Sequence, residues 1–123
     1  MSLKILFLVG CGGFLGAILR VLITTYSFKA FGSNFPYGTM IVNVLGGFLI
    51  GVFMSVAVKL SPELRSFLIP GFLGGLTTFS TFSYENLEMM MKGDLALAFV
   101  NIFLSVGLAL LACYLGMLIF RQF

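Results

Sequence analysis

The 123-residue chain contains no histidine, only two cysteines and just 9% charged residues. Without histidine it lacks the commonest transition-metal ligand and the side chain best suited to proton relay near neutral pH. That argues against a metalloenzyme or a histidine-based pump. Cys11 and Cys113 both fall inside apolar runs, where a thiol behaves as a small hydrophobe. They form neither a disulfide framework nor a metal-ligand spacing. A soluble domain carries roughly a quarter charged residues, so the low charge argues against a water-soluble fold. No nucleophile paired with a base and no nucleotide-binding loop is present, which leaves no basis for an enzyme. The net charge of +3 comes from Lys4, Arg20, Lys29, Lys59, Arg65, Lys92 and Arg121, scattered without a patch, so nucleic acid is not an expected partner.

What is abundant is apolar sequence, at 60% of residues. Crossing the ~30 Å hydrocarbon core takes about 20 helical residues. Four stretches fit, at about residues 5–26, 37–58, 66–91 and 95–120. The fold class expected is therefore an all-α integral membrane protein of four transmembrane helices forming one membrane domain. The turns between them hold Lys29, Gly32, Ser33, Asn34 and Pro36, then Lys59 to Arg65 with Pro62, then Lys92, Gly93 and Asp94. Lys4 followed by an apolar run could begin a signal peptide, but no small-residue cleavage site leads into a soluble domain. The run is read as a retained first helix.

Four crossings put both termini and the middle turn on one side, with Lys4, Lys59, Arg65 and Arg121; Lys29 and Lys92 lie opposite. Such a weak bias permits insertion both ways round, so two copies could pair antiparallel. The alternative is a single orientation with cytoplasmic termini.

Three spans carry small or polar residues at every fourth position. They are Gly12, Gly16, Arg20 and Thr24; Asn43, Gly47, Gly51 and Ser55; and Asn101, Ser105, Ala109 and Cys113. Glycines so spaced suit close helix packing. The amides and the arginine add something else, because polar groups at membrane depth are costly and face a partner or a water-filled path. The third span contains Pro70-Gly71-Phe72-Leu73-Gly74-Gly75-Leu76-Thr77-Thr78, a poor continuous helix. A break is expected near Gly74 to Thr77. Lipid offers the freed backbone groups no hydrogen bonds, and discontinuous helices commonly satisfy them by coordinating ions. Two triplets follow, Thr78-Phe79-Ser80 and Thr81-Phe82-Ser83, with Phe79 and Phe82 three apart on nearly one helix face.

The run from Gly71 to Glu85, GFLGGLTTFSTFSYE, closely resembles the signature of the Fluc (CrcB) fluoride channels. Gly12-Gly13-Phe14-Leu15-Gly16-Ala17 with Arg20, and Asn43-Val44-Leu45-Gly46, are further matches, and the likeness extends over essentially the whole chain. The resemblance implies an antiparallel, dual-topology homodimer in the inner cell membrane with two fluoride pores, a passive route by which cytoplasmic fluoride leaves and its toxicity is lowered. It also implies that Phe79 and Phe82 line the pore, that Asn43 donates to fluoride, and that Ser80, Thr81 and Ser105 supply hydroxyls along the path. Backbone carbonyls of Gly74 and Thr77 match those that hold a structural sodium ion (Na+) between subunits. Asn101 stands about where some relatives have a tyrosine. Arg20 is read as a vestibule charge, with a snorkelling helix-end residue as the alternative. Glu85 and Glu88 are read as solvated boundary residues.

These roles make chemical sense. Fluoride is small and strongly hydrated, so a selective path replaces water with amide and hydroxyl donors. Edge-on phenylalanines offer the positive end of the ring quadrupole without trapping the ion. The main rival from another class is a small dual-topology proton-coupled multidrug exporter. Such a protein needs a membrane-embedded carboxylate, and the first two spans contain none.

Dual topology predicts that two lysines added at the N-terminus bias insertion and lower the yield of functional dimer, with an oppositely biased co-expressed copy restoring it. A C-terminal reporter that reads only one side in the unmodified protein contradicts it.

Overall fold

In the computed structural model, which describes residues 1–121, the chain is helical and, among those residues, without strands. Helix α1 runs Leu3–Phe31 and starts at Ser2, whose hydroxyl accepts from the Ile5 N–H at 3.2 Å. It passes well beyond Tyr26 because Ser27 to Phe31 contain no breaker. Gly32 ends it at φ +80°, a conformation open to glycine, donating its N–H to Phe28 O at 2.8 Å. Helix α2 spans Tyr37–Ser55, stopping short of Val58, and the chain turns through a tight turn at Ala57–Lys59. Arg65 donates from its guanidinium to the Ala57 carbonyl, holding that turn.

The following stretch is segmented. Helix α3, Pro62–Ser66, has Ser61 as its cap and proline at its first turn, where a missing N–H costs nothing. At its start Glu63 pairs with Lys4 at 3.2 Å. The backbone N–H bonds of the helix start, then Lys4, hold the Glu63 carboxyl below its usual pKa. Phe67–Leu73 then widens into a π-helical turn around Pro70, which has no N–H to donate; Gly74 N–H reaches back to both Gly71 O and Ile69 O. Helix α4 is one turn, Gly74–Leu76. The chain extends at Thr77, with φ −85° and ψ 156°, and resumes as α5, Ser80–Met91. After Gly93 at φ +89°, α6 runs Leu95–Phe120.

The break thus falls at Thr77–Phe79, meeting the Gly74 to Thr77 window expected from composition at its last residue. The glycines are helical because they are used for contact. A Cβ on Gly75 would sit 2.9 Å from Ala17 N, and one on Gly71 2.9 Å from Val9 O, so only glycine lets α1 and the segmented stretch touch backbone to backbone. A second seam joins α2 and α6, where a Cβ on Gly47 would lie 2.7 Å from Ala109 O. Residue pairs ascend together along both seams: Gly12 with Phe67, Gly16 with Phe72, Arg20 with Gly75, then Gly47 with Ala109 and Gly51 with Cys113. Each seam therefore joins parallel elements.

Helices α1, α2 and α6 are each long and apolar enough to cross a membrane. At about 1.5 Å per residue the 29 residues of α1 reach roughly 44 Å, longer than a bilayer's apolar core. Val42, Leu73 and Leu76 form the packed centre, and outward residues such as Phe7, Phe103 and Leu110 are exposed, as lipid contact favours.

Gly16→Ala should destabilise the protein by about 1–3 kcal/mol, because its new methyl meets Phe72 backbone that cannot yield. Gly107→Ala meets nothing within 4 Å and should be neutral or slightly stabilising. Thermal melting in detergent, followed by size-exclusion, separates the two.

Candidate anion pathway

A chain that leaves the helix at membrane depth must find partners for the freed backbone groups. At Thr78 both are supplied by one side chain of α2. Asn43 Nδ2 donates to Thr78 O at 2.9 Å, and Thr78 N–H donates to Asn43 Oδ1 at 2.8 Å. The carboxamide thus stands in for the peptide group that a continuous helix would have provided. The Thr78 hydroxyl accepts from the Thr81 N–H at 3.1 Å and so caps the restart. Thr77 donates to Leu73 O with both N–H and hydroxyl, at 3.0 and 2.9 Å. Arg20 Nε donates to Gly75 O at 3.0 Å. The carbonyls of Gly74 and Thr77 accept no hydrogen bond from the described residues, and Gly74 lies exposed with open space where a Cβ would be.

Beside this break lies a groove of about 250 Å³ that brings together Asn43, Thr78, Phe79, Phe82 and Ser105. Phe82 is buried at 9% exposure while Phe79 is 80% exposed at the rim, their ring centroids 5.9 Å apart and their planes tilted by 46°. The Asn43 amide has a second N–H beyond the one given to Thr78, available to a ligand in the groove. Five of the candidate site residues named from the sequence, Asn43, Thr77, Phe79, Phe82 and Ser105, therefore share one site. Others do not. Ser80 and Thr81 lie on the exposed outer side of α5 and are absent from the groove lining. Arg20 is held at the Gly75 carbonyl, in neither the groove nor the polar cavity described next.

One turn along α2 from Asn43 is Thr39, and one turn along α5 from Phe82 is Glu85. Both line a larger cavity of about 580 Å³, with Thr24, Glu88, Lys92 and Asp94. Lys92 pairs with Glu88 at 3.0 Å, whereas Oε1 of Glu85 is buried without a hydrogen-bond partner among the described residues. Glu85 and Glu88 therefore sit in a polar recess that starts one helical turn from Asn43 and Phe82, a placement their position near the end of an apolar span did not reveal.

A buried polar chain was also missed. Ser105 Oγ donates to Asn101 Oδ1 at 3.0 Å, Asn101 Nδ2 to Asn86 Oδ1 at 2.7 Å, and Asn86 Nδ2 to Phe82 O at 2.9 Å. The sequence held a signal for Asn86, which follows Phe79 and Phe82 at the helical spacing of one face.

The profile of the family described as CrcB-like protein, Camphor Resistance (CrcB), matches residues 7–117. A Clostridium perfringens protein named fluoride-specific ion channel FluC is 48% identical over 118 residues, covering 94% of this chain and 92% of that protein. Proteins of the same name from Campylobacter fetus and Campylobacter jejuni are each 50% identical. The first aligns over 94% of this chain and 93% of its own length, the second over 97% and 99%.

Asn43→Ala leaves the Thr78 N–H and C=O unpaired at membrane depth. It should cost roughly 2–6 kcal/mol, taking about 1–3 for each of the two orphaned groups. Asn43→Asp keeps an acceptor for the N–H but gives the carbonyl nothing and adds a negative charge, so it should also fail. A melting temperature unchanged in both variants contradicts the clamp.

Proposed function

The chain belongs to the CrcB family, and on that premise we propose that it is a fluoride-selective, multi-pass membrane channel through which cytoplasmic fluoride leaves passively. The observation that carries this is the meeting of Asn43, Phe79, Phe82 and Ser105 in one groove beside a helix break. An anion there meets an amide N–H, ring edges and hydroxyls that have other partners at rest, and among the described residues no lysine or arginine lines the groove to trap it. Nor, among the described residues, does a carboxylate line it, and a proton-coupled multidrug exporter would need one to exchange protons for cations.

We further infer four crossings and an antiparallel homodimer. The parallel seams of α1 with the segmented stretch and of α2 with α6, the pairing that four successive crossings would give, support the four crossings. The dimer is supported by what a single chain leaves bare: Gly74, Phe79, Ser80 and Thr81 all face outward, and lipid cannot satisfy the Gly74 carbonyl, which accepts no hydrogen bond from the described residues. Covered by a second copy, Ser80 and Thr81 become the hydroxyl wall of the path that runs past Phe79. The Gly74 and Thr77 carbonyls, hard oxygen donors without partners, suit a sodium ion that a two-fold axis would surround with both copies' oxygens. Bound there, sodium neutralises the negative ends of two half-helices. Arg20, tied to the next carbonyl at Gly75, adds positive potential beside the break for an approaching anion.

The test is fluoride efflux from liposomes holding the purified protein, with chloride as control; equal conduction of the two refutes selectivity. Phe79→Ile and Phe82→Ile keep bulk while deleting the polarised ring edge. Losing about 1.4 kcal/mol of stabilisation at the barrier slows flux about tenfold. Unchanged flux in both well-assembled variants removes the rings from the path.

A further inference from the structure

Ser105 reaches the groove, yet the direction of its hydroxyl is set at a distance, by Phe82. The Phe82 carbonyl can only accept, so Asn86 must turn its NH2 toward it and its Oδ1 toward Asn101. Asn101 must then give its NH2 to Asn86 and present Oδ1 to Ser105. Ser105 faces an acceptor and has one proton, which it donates to Asn101 at 3.0 Å. At rest that proton points away from the groove, and the groove meets oxygen lone pairs, which repel an anion.

On the reading that the groove carries fluoride, we propose that Asn101 is a specificity-determining positioning residue that competes with the passing anion for the Ser105 proton. To gain Ser105 as a donor, an ion must draw the hydroxyl away from Asn101 Oδ1, leaving a buried acceptor unpaired in a residue only 1% exposed. Fluoride, the smallest halide and the strongest hydrogen-bond acceptor among them, recovers that loss. Chloride, larger and a weaker acceptor, does not. The same competition aids release, because Asn101 reclaims the proton as the ion moves on. A plain interhelical strut between α5 and α6 would need only the Asn86 and Asn101 amides. This chain goes one link further and ends on a hydroxyl that opens on the groove.

The experiment measures initial efflux from liposomes holding the full chain against fluoride concentration, with chloride efflux in parallel. Asn101→Leu should lower the half-saturating fluoride concentration about tenfold and raise chloride efflux above background. Both changes should disappear when the same substitution is made in a Ser105→Ala chain, because Asn101 acts through that hydroxyl. If Asn101→Leu alone does not assemble, Asn86→Leu with Asn101→Leu leaves no amide without its partner and is judged by the same outcomes. Unaltered concentration dependence, a shift that persists without the Ser105 hydroxyl, or failure of both variants to assemble assigns the amides to packing and overturns the proposal. No fluoride efflux from the unsubstituted chain overturns the fluoride reading itself, and with it this inference.

Discussion

The structure turns on one exchange of hydrogen bonds, in which the Asn43 carboxamide takes the place of a peptide group for Thr78. In hydrocarbon an unpaired backbone N–H or C=O has no water to turn to, so an interrupted helix survives only where something else answers those groups. Asn43 answers both at once and fixes the distance between α2 and the break. With that distance set, the clamp, Phe79, Phe82 and Ser105 of α6 together line one groove. The glycine seams serve the same end, because α1 and the segmented stretch must approach to backbone contact for Arg20 to reach the Gly75 carbonyl.

Much of this was legible in the residues. The apolar runs marked α1, α2 and α6, the run from Pro70 to Thr78 announced a discontinuity, and the spacing of Phe79 and Phe82 placed them together. What escaped has physical causes. The break lies past the glycines because Gly71 and Gly75 are consumed by packing against α1, a tertiary demand that propensity alone does not record. Ser80 and Thr81 looked equivalent to Ser105, yet α5 restarts at Ser80 in a register that turns them outward. Arg20 read as a charge near a helix end, and its anchoring on a carbonyl beside the break needed the third stretch to be brought against α1. Asn86 drew no notice because an asparagine near the end of an apolar span resembles a boundary residue; its worth appears only once α6 brings Asn101 to it.

Anion selectivity in such a groove rests on many weak contacts held in place by strong structural ones. The strong bonds, Asn43 to Thr78 and the Asn86 to Asn101 pair, are internal and hold the framework. What remains for an ion is one spare amide N–H, ring edges and hydroxyls that have other partners at rest. An ion so held exchanges its hydration for several partial substitutes and leaves without breaking any strong bond, which is the balance that conduction requires.

The central claim is that this framework supports passive, fluoride-selective conduction. Its most direct test is the reversal potential of currents from the purified protein in a planar bilayer, under a fluoride gradient with chloride symmetric. A passive fluoride path predicts current that reverses at the fluoride equilibrium potential and stays there when a proton gradient is imposed. A reversal potential that follows chloride or the proton gradient would contradict it.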